Sequence, residues 1–384
     1  VIRIGSLDAA DSDITLFQAE SSVSYASGHV IFARDETLMA QAFDLDTRQL
    51  RGDAFPLAER VAREGSRYVG ASVSENGTLV YGQAGADMAS QLTWFDRTGH
   101  VLGTLGDAAP YAGLALSPDE RRVAVTLGTG TPENVDIWVI DIVRNIRSRL
   151  TVDSGRDVSP VWSPDGTRIA FQSSRPRQPV AMRQTLSNKA GTDELLLEGP
   201  GNFTMTPSGW SADGRFIAYT TRGSDVWVLP LFGDRKPFAL AESPFTEGSA
   251  VFSPDGRWIA YTSNEGGQPN VYVQPFPGPG AKSQVSRDSG SHPVWRADGR
   301  ELFYLGADRT MMAVPIGAGR SFDAGQPQAL FPSHAVLGPN QGYAVTKDGR
   351  RFLVNAGSQQ SSGAVPLTVV LNWQEELKQR VPTR

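Results

Sequence analysis

Apolar and polar positions alternate in short runs along this 384-residue chain, and eight times a run ends in a tight polar turn and restarts as a second β-rich run. The plainest copies are SPDGTRIAF (Ser163–Phe171), SADGRFIAY (Ser211–Tyr219) and SPDGRWIAY (Ser253–Tyr261). Looser copies begin at Ser27, Ser74, Ser117, Arg296 and Thr346. With the turn glycine as marker, and Glu120 in its place once, the copies stand 42 to 50 residues apart. Period-two alternation predicts strands rather than helices, and a β-rich repeat of this length predicts propeller blades.

The turn residues have defined roles. In Ser163-Pro164-Asp165-Gly166 the proline presets φ at the second position, the aspartate bonds its own backbone, and the glycine takes the positive φ of a bulged hairpin. Asp165, Gly166, Asp213, Gly214, Asp255, Gly256, Asp298, Gly299, Asp348 and Gly349 are therefore expected to be structural hairpin residues. After the turn, Ile169 and Phe171 are expected on one face of the strand and Arg168 and Ala170 on the other. A third strand follows in most repeats, as in DIWVIDI from Asp136, DVWVLPL from Asp225, NVYVQPF from Asn270 and TMMAVPI from Thr310. A fourth follows after a Gly- or Pro-containing turn, as in PFALAE from Pro237. Four strands per repeat place blades at about 24–61, 69–106, 111–151, 157–197, 205–243, 247–290 and 291–331.

The two ends suggest how a ring would close. Val1–Phe17 reads as the third and fourth strands of a blade, and Gly342–Ala356 supplies its first and second, so their pairing would complete an eighth blade over 342–373 and hide exposed edges. LTVVLNW (Leu367–Trp373) competes for the third place. The expectation is an all-β fold, a single closed β-propeller of four-stranded antiparallel blades. Eight blades closed by the N- and C-terminal strands are favoured over the alternative of seven with both ends as additions. Residues 374–384 read as a polar tail.

Composition narrows the function classes. Forty glycines and 25 prolines suit a fold of many strands joined by turns. A net charge of −5 argues against nucleic acid as the main partner, because phosphate recognition needs a basic field. The absence of cysteine excludes disulfides and thiolate metal sites and leaves the redox compartment open. No apolar run approaches the length of about 18 residues that a membrane helix needs. The sequence opens at Val1, inside what reads as a strand, which predicts a processed protein or a piece of a longer one.

The S-P-D-G-x-x-I-A-[FY] hairpin, with an aromatic residue just before it in Val161-Trp162, Val251-Phe252 and Val294-Trp295, resembles the TolB-type WD-repeat-like β-propeller repeat. Two longer stretches, Ser243–Gly280 and DGRRFLVNA followed by PLTVVLNW, resemble the C-terminal propeller of acidobacterial-type bacterial serine/threonine protein kinases. That resemblance implies an extracytoplasmic (periplasmic or cell-surface) sensor or binding domain, with a protein or peptide partner and no catalytic residues to carry over. Kinase signatures are absent from this sequence: there is no His-Arg-Asp, and the four histidines are scattered.

Other chemistry in the sequence has simpler readings. Asp288-Ser289-Gly290-Ser291-His292 superficially resembles a nucleophile beside a base, but Ser and Gly there suit an inter-blade turn. Asp8, Asp11 and Asp13 could offer oxygen ligands to Ca²⁺, against the simpler reading of a solvated loop. No catalytic, cofactor or metal residue is assigned. Trp162, Trp210, Phe252 and Trp295 occupy equivalent places before the hairpin turn and are expected to pack between neighbouring blades. The expected function is a non-catalytic sensor or interaction module working through its loops. The alternatives are a subunit of a larger bacterial complex, or a polysaccharide- or peptide-acting enzyme that would need histidines to converge on one face.

Overall fold

The computed structural model describes the chain apart from residues 1, 7–8, 18–20, 35–36, 60, 62, 65–67, 83–88, 129–134, 200–203, 222–224, 242, 279, 320, 337–341, 358–366 and 374–384. Two compact units are present: Val1–Met88 with Ser358–Arg384, and Ala89–Gly357. No helix among the described residues is long and apolar enough to cross a membrane.

In the first unit, β1 (Ile2–Ser6) and β2 (Ala9–Phe17) pair with each other. β3 (Val23–Ala26), β4 (His29–Arg34), β5 (Thr37–Asp44) and β6 (Gln49–Ala58) form a four-stranded antiparallel sheet in chain order. β7 (Arg63–Glu64) and β8 (Tyr68–Val69) form a ribbon, while β9 (Ala71–Val73) and β10 (Leu79–Gly82) take β35 (Leu367–Val370) as their third strand. Trp373, 1% exposed, packs with Ala26, Ile31, Leu38 and Leu79, and its backbone N–H donates to the Gly77 carbonyl at 3.1 Å.

The second unit contains six groups of four antiparallel strands among the described residues. The first combines β11 (Ser90–Asp96) and β12 (Val101–Ala109) with β33 (Tyr343–Val345) and β34 (Arg351–Gly357), in the order β12-β11-β34-β33. The second is β13 (Tyr111–Leu116), β14 (Arg122–Gly128), β15 (Val135–Asp141) and β16 (Ile146–Arg149). The third is β17 (Arg156–Trp162), β18 (Arg168–Ser174), β19 (Ala181–Leu186) and β20 (Glu194–Glu198), touching the second through one parallel bridge, Val135 to Arg156. β21 (Met205–Trp210), β22 (Phe216–Thr221), β23 (Val226–Pro230) and β24 (Phe238–Ala241) make the fourth. β25 (Glu247–Phe252), β26 (Trp258–Ser263), β27 (Asn270–Pro275) and β28 (Ser283–Gln284) make the fifth. β29 (Ser291–Trp295), β30 (Glu301–Leu305), β31 (Thr310–Pro315) and β32 (Gln328–Pro332) make the sixth.

Each core cluster of this unit draws on two neighbouring sheets. Ile169 and Phe171 of the third sheet pack with Ala124 and Ile137 of the second. Ile217 and Tyr219 of the fourth meet Ala170 of the third, and Ile259 and Tyr261 of the fifth meet Ala218 of the fourth. The alternation in x-Ile-Ala-aromatic is therefore large against small, with both faces buried: Ile169, Ala170 and Phe171 are all 0% exposed. Ile169 and Phe171 thus share one face and Ala170 takes the other, as the alternation predicted. A sheet stacked between two others has no solvated side, so its central strand carries bulk toward one neighbour and leaves room for the other. The sixth sheet in turn packs on the first, where Phe303, Phe331 and Phe352 meet in edge-to-face contacts with ring centroids 5.3 to 5.4 Å apart.

The expected blade over 69–106 is divided between the units, and 342–373 is not completed by Val1–Phe17. β34 pairs instead with β11 over seven residues, from Ser90 opposite Gly357 to Asp96 opposite Arg351. β35, the LTVV segment, pairs with β10 from Leu79 opposite Val370 to Gly82 opposite Leu367. Strand length explains the choice: the seven-residue β34 finds a seven-residue partner in β11, and the four-residue β35 finds one in the four-residue β10. The paired strands then match end to end, with no residue of either left overhanging. The polar tail 374–384 lies outside the described residues.

Thr93 and Val354 face each other across β11 and β34. Replacing both with cysteine in this cysteine-free chain should yield a disulfide on mild oxidation, seen as a shift in non-reducing electrophoresis. Phe352→Ala, at a 0% exposed position between the sixth and first sheets, should cost about 3–5 kcal/mol in a urea unfolding experiment.

Candidate binding site

The hairpin turns share one hydrogen-bonded clamp. Ser163 Oγ donates to Asp165 Oδ1 at 2.5 Å and accepts from the Arg168 N–H at 2.9 Å, while Asp165 Oδ1 also accepts from the Thr167 N–H at 3.0 Å. Ser211 with Asp213, Ser253 with Asp255, and Thr346 with Asp348 repeat the hydroxyl-to-carboxylate bond at 2.6, 2.6 and 2.7 Å. Gly166, Gly214, Gly256, Gly299 and Gly349 sit at φ of 68 to 73°, and each donates its N–H three residues back. Where Arg296 replaces the serine, its guanidinium holds Asp298 directly, Nε to Oδ1 at 2.7 Å.

These contacts set the carboxyl groups. The Ser163 hydroxyl holds the Asp165 carboxyl below the usual range, and the Thr346 hydroxyl does the same for Asp348. For Asp213 and Asp255, partial burial pushes upward, but the Ser211 and Ser253 hydroxyls and the following backbone N–H groups bring both carboxyls below it. Hydrogen bonding to Arg296 lowers Asp298 to about 2.

The four aromatic positions are not equivalent. Trp162 is buried and donates Nε1–H to the Ala115 carbonyl of the second sheet at 2.9 Å, with the Arg122 guanidinium 4.8 Å above its ring. Trp295 reaches the Val251 carbonyl of the fifth sheet at 3.3 Å. Phe252 is buried among side chains of the fourth and fifth sheets. Trp210 instead bonds within its own hairpin, to the Gly214 carbonyl at 3.2 Å.

The innermost strands of all six sheets, β33, β13, β17, β21, β25 and β29, contribute to the lining of one cavity of about 350 Å³. Leu114, Leu116, Val161, Trp210, Val251 and Val345 line it, with Pro118 and Pro164 from the hairpin turns. Tyr343, also in the lining, donates its hydroxyl to the His292 carbonyl at 2.8 Å, and complete burial raises its phenol well above the ordinary value. Five of the six inner strands carry a bulge, at Tyr111/Gly113, Val158/Val161, Pro207/Gly209, Gly248/Val251 and Ser291/Val294. Ser159, Ser249 and His292 take left-handed φ of 60, 52 and 55° within them. Bulges of this kind turn a strand aside and re-aim its side chains. A second cavity, of about 490 Å³, shares Ser208 and Ser249 with the first and is lined mainly by threonines, with Glu247 and Asn264.

Residues 107–232 match the family model described as the TolB beta propeller domain. The chain is 28% identical over 156 residues to the Tol-Pal system protein TolB of Alcanivorax borkumensis, covering 39% of this chain and 35% of that protein. It thus spans about a third of the length of that curated relative. A solved structure assigned as TolB from Agrobacterium tumefaciens superposes with a TM-score of 0.53 at 15% identity, over 69% of this chain and 97% of that one. Over residues 107–232 this chain is similar to a TolB-type β-propeller.

The structure scatters the expected chemistry. His29 lies in the first unit, and His100 bonds Thr98 in an exposed turn. Ser291 and His292 bond each other at the start of β29, with Asp288 in the preceding connection and no role assigned to it. Among the described residues no group of three or more His, Asp or Glu residues is placed to hold a metal. Asp8 lies outside the described residues, as do the side chains of Asp11 and Asp13. Sequence reasoning missed the threonine-lined cavity, because Thr206, Thr220, Thr246 and Thr262 come from different strands and loops. The signal available in the sequence was a Thr at the same offset after the Ile-Ala-Tyr core of two repeats, Thr220 and Thr262.

Asp298 is held below its ordinary carboxyl value in the folded chain, so it contributes stability above the ordinary carboxylate range and loses it as pH falls toward 2. The melting temperature should fall between pH 4 and pH 2, and Asp298→Asn should lower it at pH 7 while flattening that acid decline.

Proposed function

We propose that this chain is a non-catalytic binding module, and that its second unit is a closed six-bladed propeller whose central cavity takes an apolar segment of a protein partner. The observation that carries this reading is the convergence of six inner strands on one cavity. Its described lining offers aliphatic and aromatic side chains, prolines and serines, and no carboxylate, imidazole or amine. Such a lining binds by contact and desolvation rather than by moving protons. Packing of the sixth sheet on the first supports ring closure. A protein partner is favoured by the relative named for the Tol-Pal system. An extracytoplasmic location and a link to a signalling kinase are suggested by the resemblance of Ser243–Gly280, and of DGRRFLVNA followed by PLTVVLNW, to kinase-associated propellers. No cofactor enters this reading.

Val161 is half-buried in the cavity lining and stands outside the core clusters. Val161→Glu should therefore leave the melting temperature nearly unchanged. The tagged protein, used to capture partners from its source under mild conditions, should retain a stoichiometric protein that the variant binds at least tenfold more weakly. Equal capture by both would remove the central cavity as the site.

A further inference from the structure

We propose that Asn76 is a self-modification site: the Gly77 backbone nitrogen attacks the Asn76 side-chain amide, and the isoaspartate that results loosens the C-terminal strand β35. This goes beyond the binding-module reading and does not depend on it.

Asn76-Gly77 is the only Asn-Gly pair in the sequence. Glycine after asparagine leaves the attacking nitrogen unshielded by a Cβ and lets the backbone reach the conformation that ring closure needs. Asn76 is exposed in the β9–β10 hairpin, at the place that Asp165 and its equivalents take in the second unit. Ser74 Oγ donates to Asn76 Oδ1, as Ser163 Oγ does to Asp165 Oδ1. Given to a carboxylate, that bond is a clamp. Given to an amide, it draws electron density onto the oxygen and eases attack at the Cγ carbon.

This turn is looser than its counterparts. It is one residue shorter: Ser74 Oγ accepts from the Thr78 N–H at 3.1 Å, four residues on, where Ser163 Oγ accepts from Arg168, five residues on. The missing residue is the one whose N–H grips the carboxylate elsewhere, as Thr167 grips Asp165 at 3.0 Å. Ser74 is therefore the sole hydrogen-bond partner of the Asn76 side chain among the described residues. The Gly77 N–H must be freed before its nitrogen can attack. It lies 3.2 Å from the Ser74 carbonyl, against 2.8 to 2.9 Å for the equivalent bonds of Gly166, Gly214, Gly256, Gly299 and Gly349.

The reaction needs only water and base. The Gly77 nitrogen gives its proton to hydroxide and bonds to Cγ, and the side-chain nitrogen leaves as ammonia, which closes a succinimide ring. Water then opens the ring at one of its two carbonyls. Cleavage between Cγ and the Gly77 nitrogen leaves aspartate, the residue the other turns use. Cleavage between the main-chain carbonyl and that nitrogen leaves isoaspartate, whose main chain runs through Cβ and Cγ and is longer by one methylene.

The Gly77 carbonyl carries the consequence. It accepts the Trp373 N–H at 3.1 Å, just after β35, and the Trp373 ring is enclosed by Ala26, Ile31, Leu38 and Leu79. The turn is also held at the Glu75 carbonyl, which accepts the Ser27 hydroxyl at 3.0 Å, and by the Ser74 N–H to the Thr78 carbonyl at 2.9 Å. An extra methylene between these fixed points displaces the Gly77 carbonyl and removes the anchor of β35.

Peptide mapping by mass spectrometry, on the full chain aged at mildly alkaline pH, tests this. The Asn76 peptide should convert at least tenfold faster than those of Asn145 and Asn372, which are also exposed but precede Ile146 and Trp373. A protein isoaspartyl methyltransferase should label the aged chain at position 76. In hydrogen exchange, the amides of 368–373 should lose protection in the aged chain. They should keep it in Asn76→Asp and in aged Asn76→Gln, whose longer side chain closes the ring poorly. Conversion of Asn76 no faster than that of Asn145 and Asn372, or aspartate as the sole product, would overturn the site. Unchanged protection of 368–373 in the isoaspartate form would overturn its effect on β35.

Discussion

The seven-residue pairing of β11 with β34 is the constraint on which the second unit depends. It joins strands more than 250 positions apart, a closure whose entropy must be repaid by contacts it alone makes possible. Three features supply them. The rings of Phe95, Phe303, Phe331 and Phe352 fill the space between the sixth and first sheets. Arg97, in the β11–β12 turn, reaches Glu301 with both terminal nitrogens, at 3.1 and 2.9 Å, and the Gly349 carbonyl at 3.0 Å. Gly99 allows the approach: at φ 84° its position would place a Cβ 2.7 Å from that of Phe331.

Within this unit, stability and shape come from one repeated bargain. The central strands of the third, fourth and fifth sheets present Ile and an aromatic residue to the sheet before and Ala to the sheet after, so these sheets interlock without a solvated face between them. The Ser–Asp clamps pin the hairpins that hold the inner strands in register. Cross-sheet bonds from Trp162 to Ala115 and from Trp295 to Val251 tie one inner strand to the next.

Both cavities sit where this regularity is broken. Bulges at equivalent places rotate Ser159, Ser249 and His292 into left-handed conformations, and the two cavities meet at Ser208 and Ser249. The cavities differ in chemistry because they border different stretches of the same strands: prolines and aliphatic residues near the hairpin turns, threonines and Glu247 at the opposite ends.

Much of this was legible in the chain as written. The Ser-x-Asp-Gly spacing announced antiparallel hairpins because turn geometry is a local property, decided by the φ preference of glycine and the reach of a short acceptor side chain. The repeat of 42 to 50 residues announced four-stranded sheets for the same reason. Pairing of the ends was not legible: β10 and β34 each end before a connection that could lead to either partner, and the choice between β11 and β35 turns on matched strand length and on the aromatic packing that follows. Nor was burial on both faces, since Ala170 looks neutral until a neighbouring sheet presses Ile217 against it. The burial of Glu247 was hidden for the deepest reason. Burial is a fact about the space around a side chain, and that space is enclosed by residues which only the folded sheets bring together.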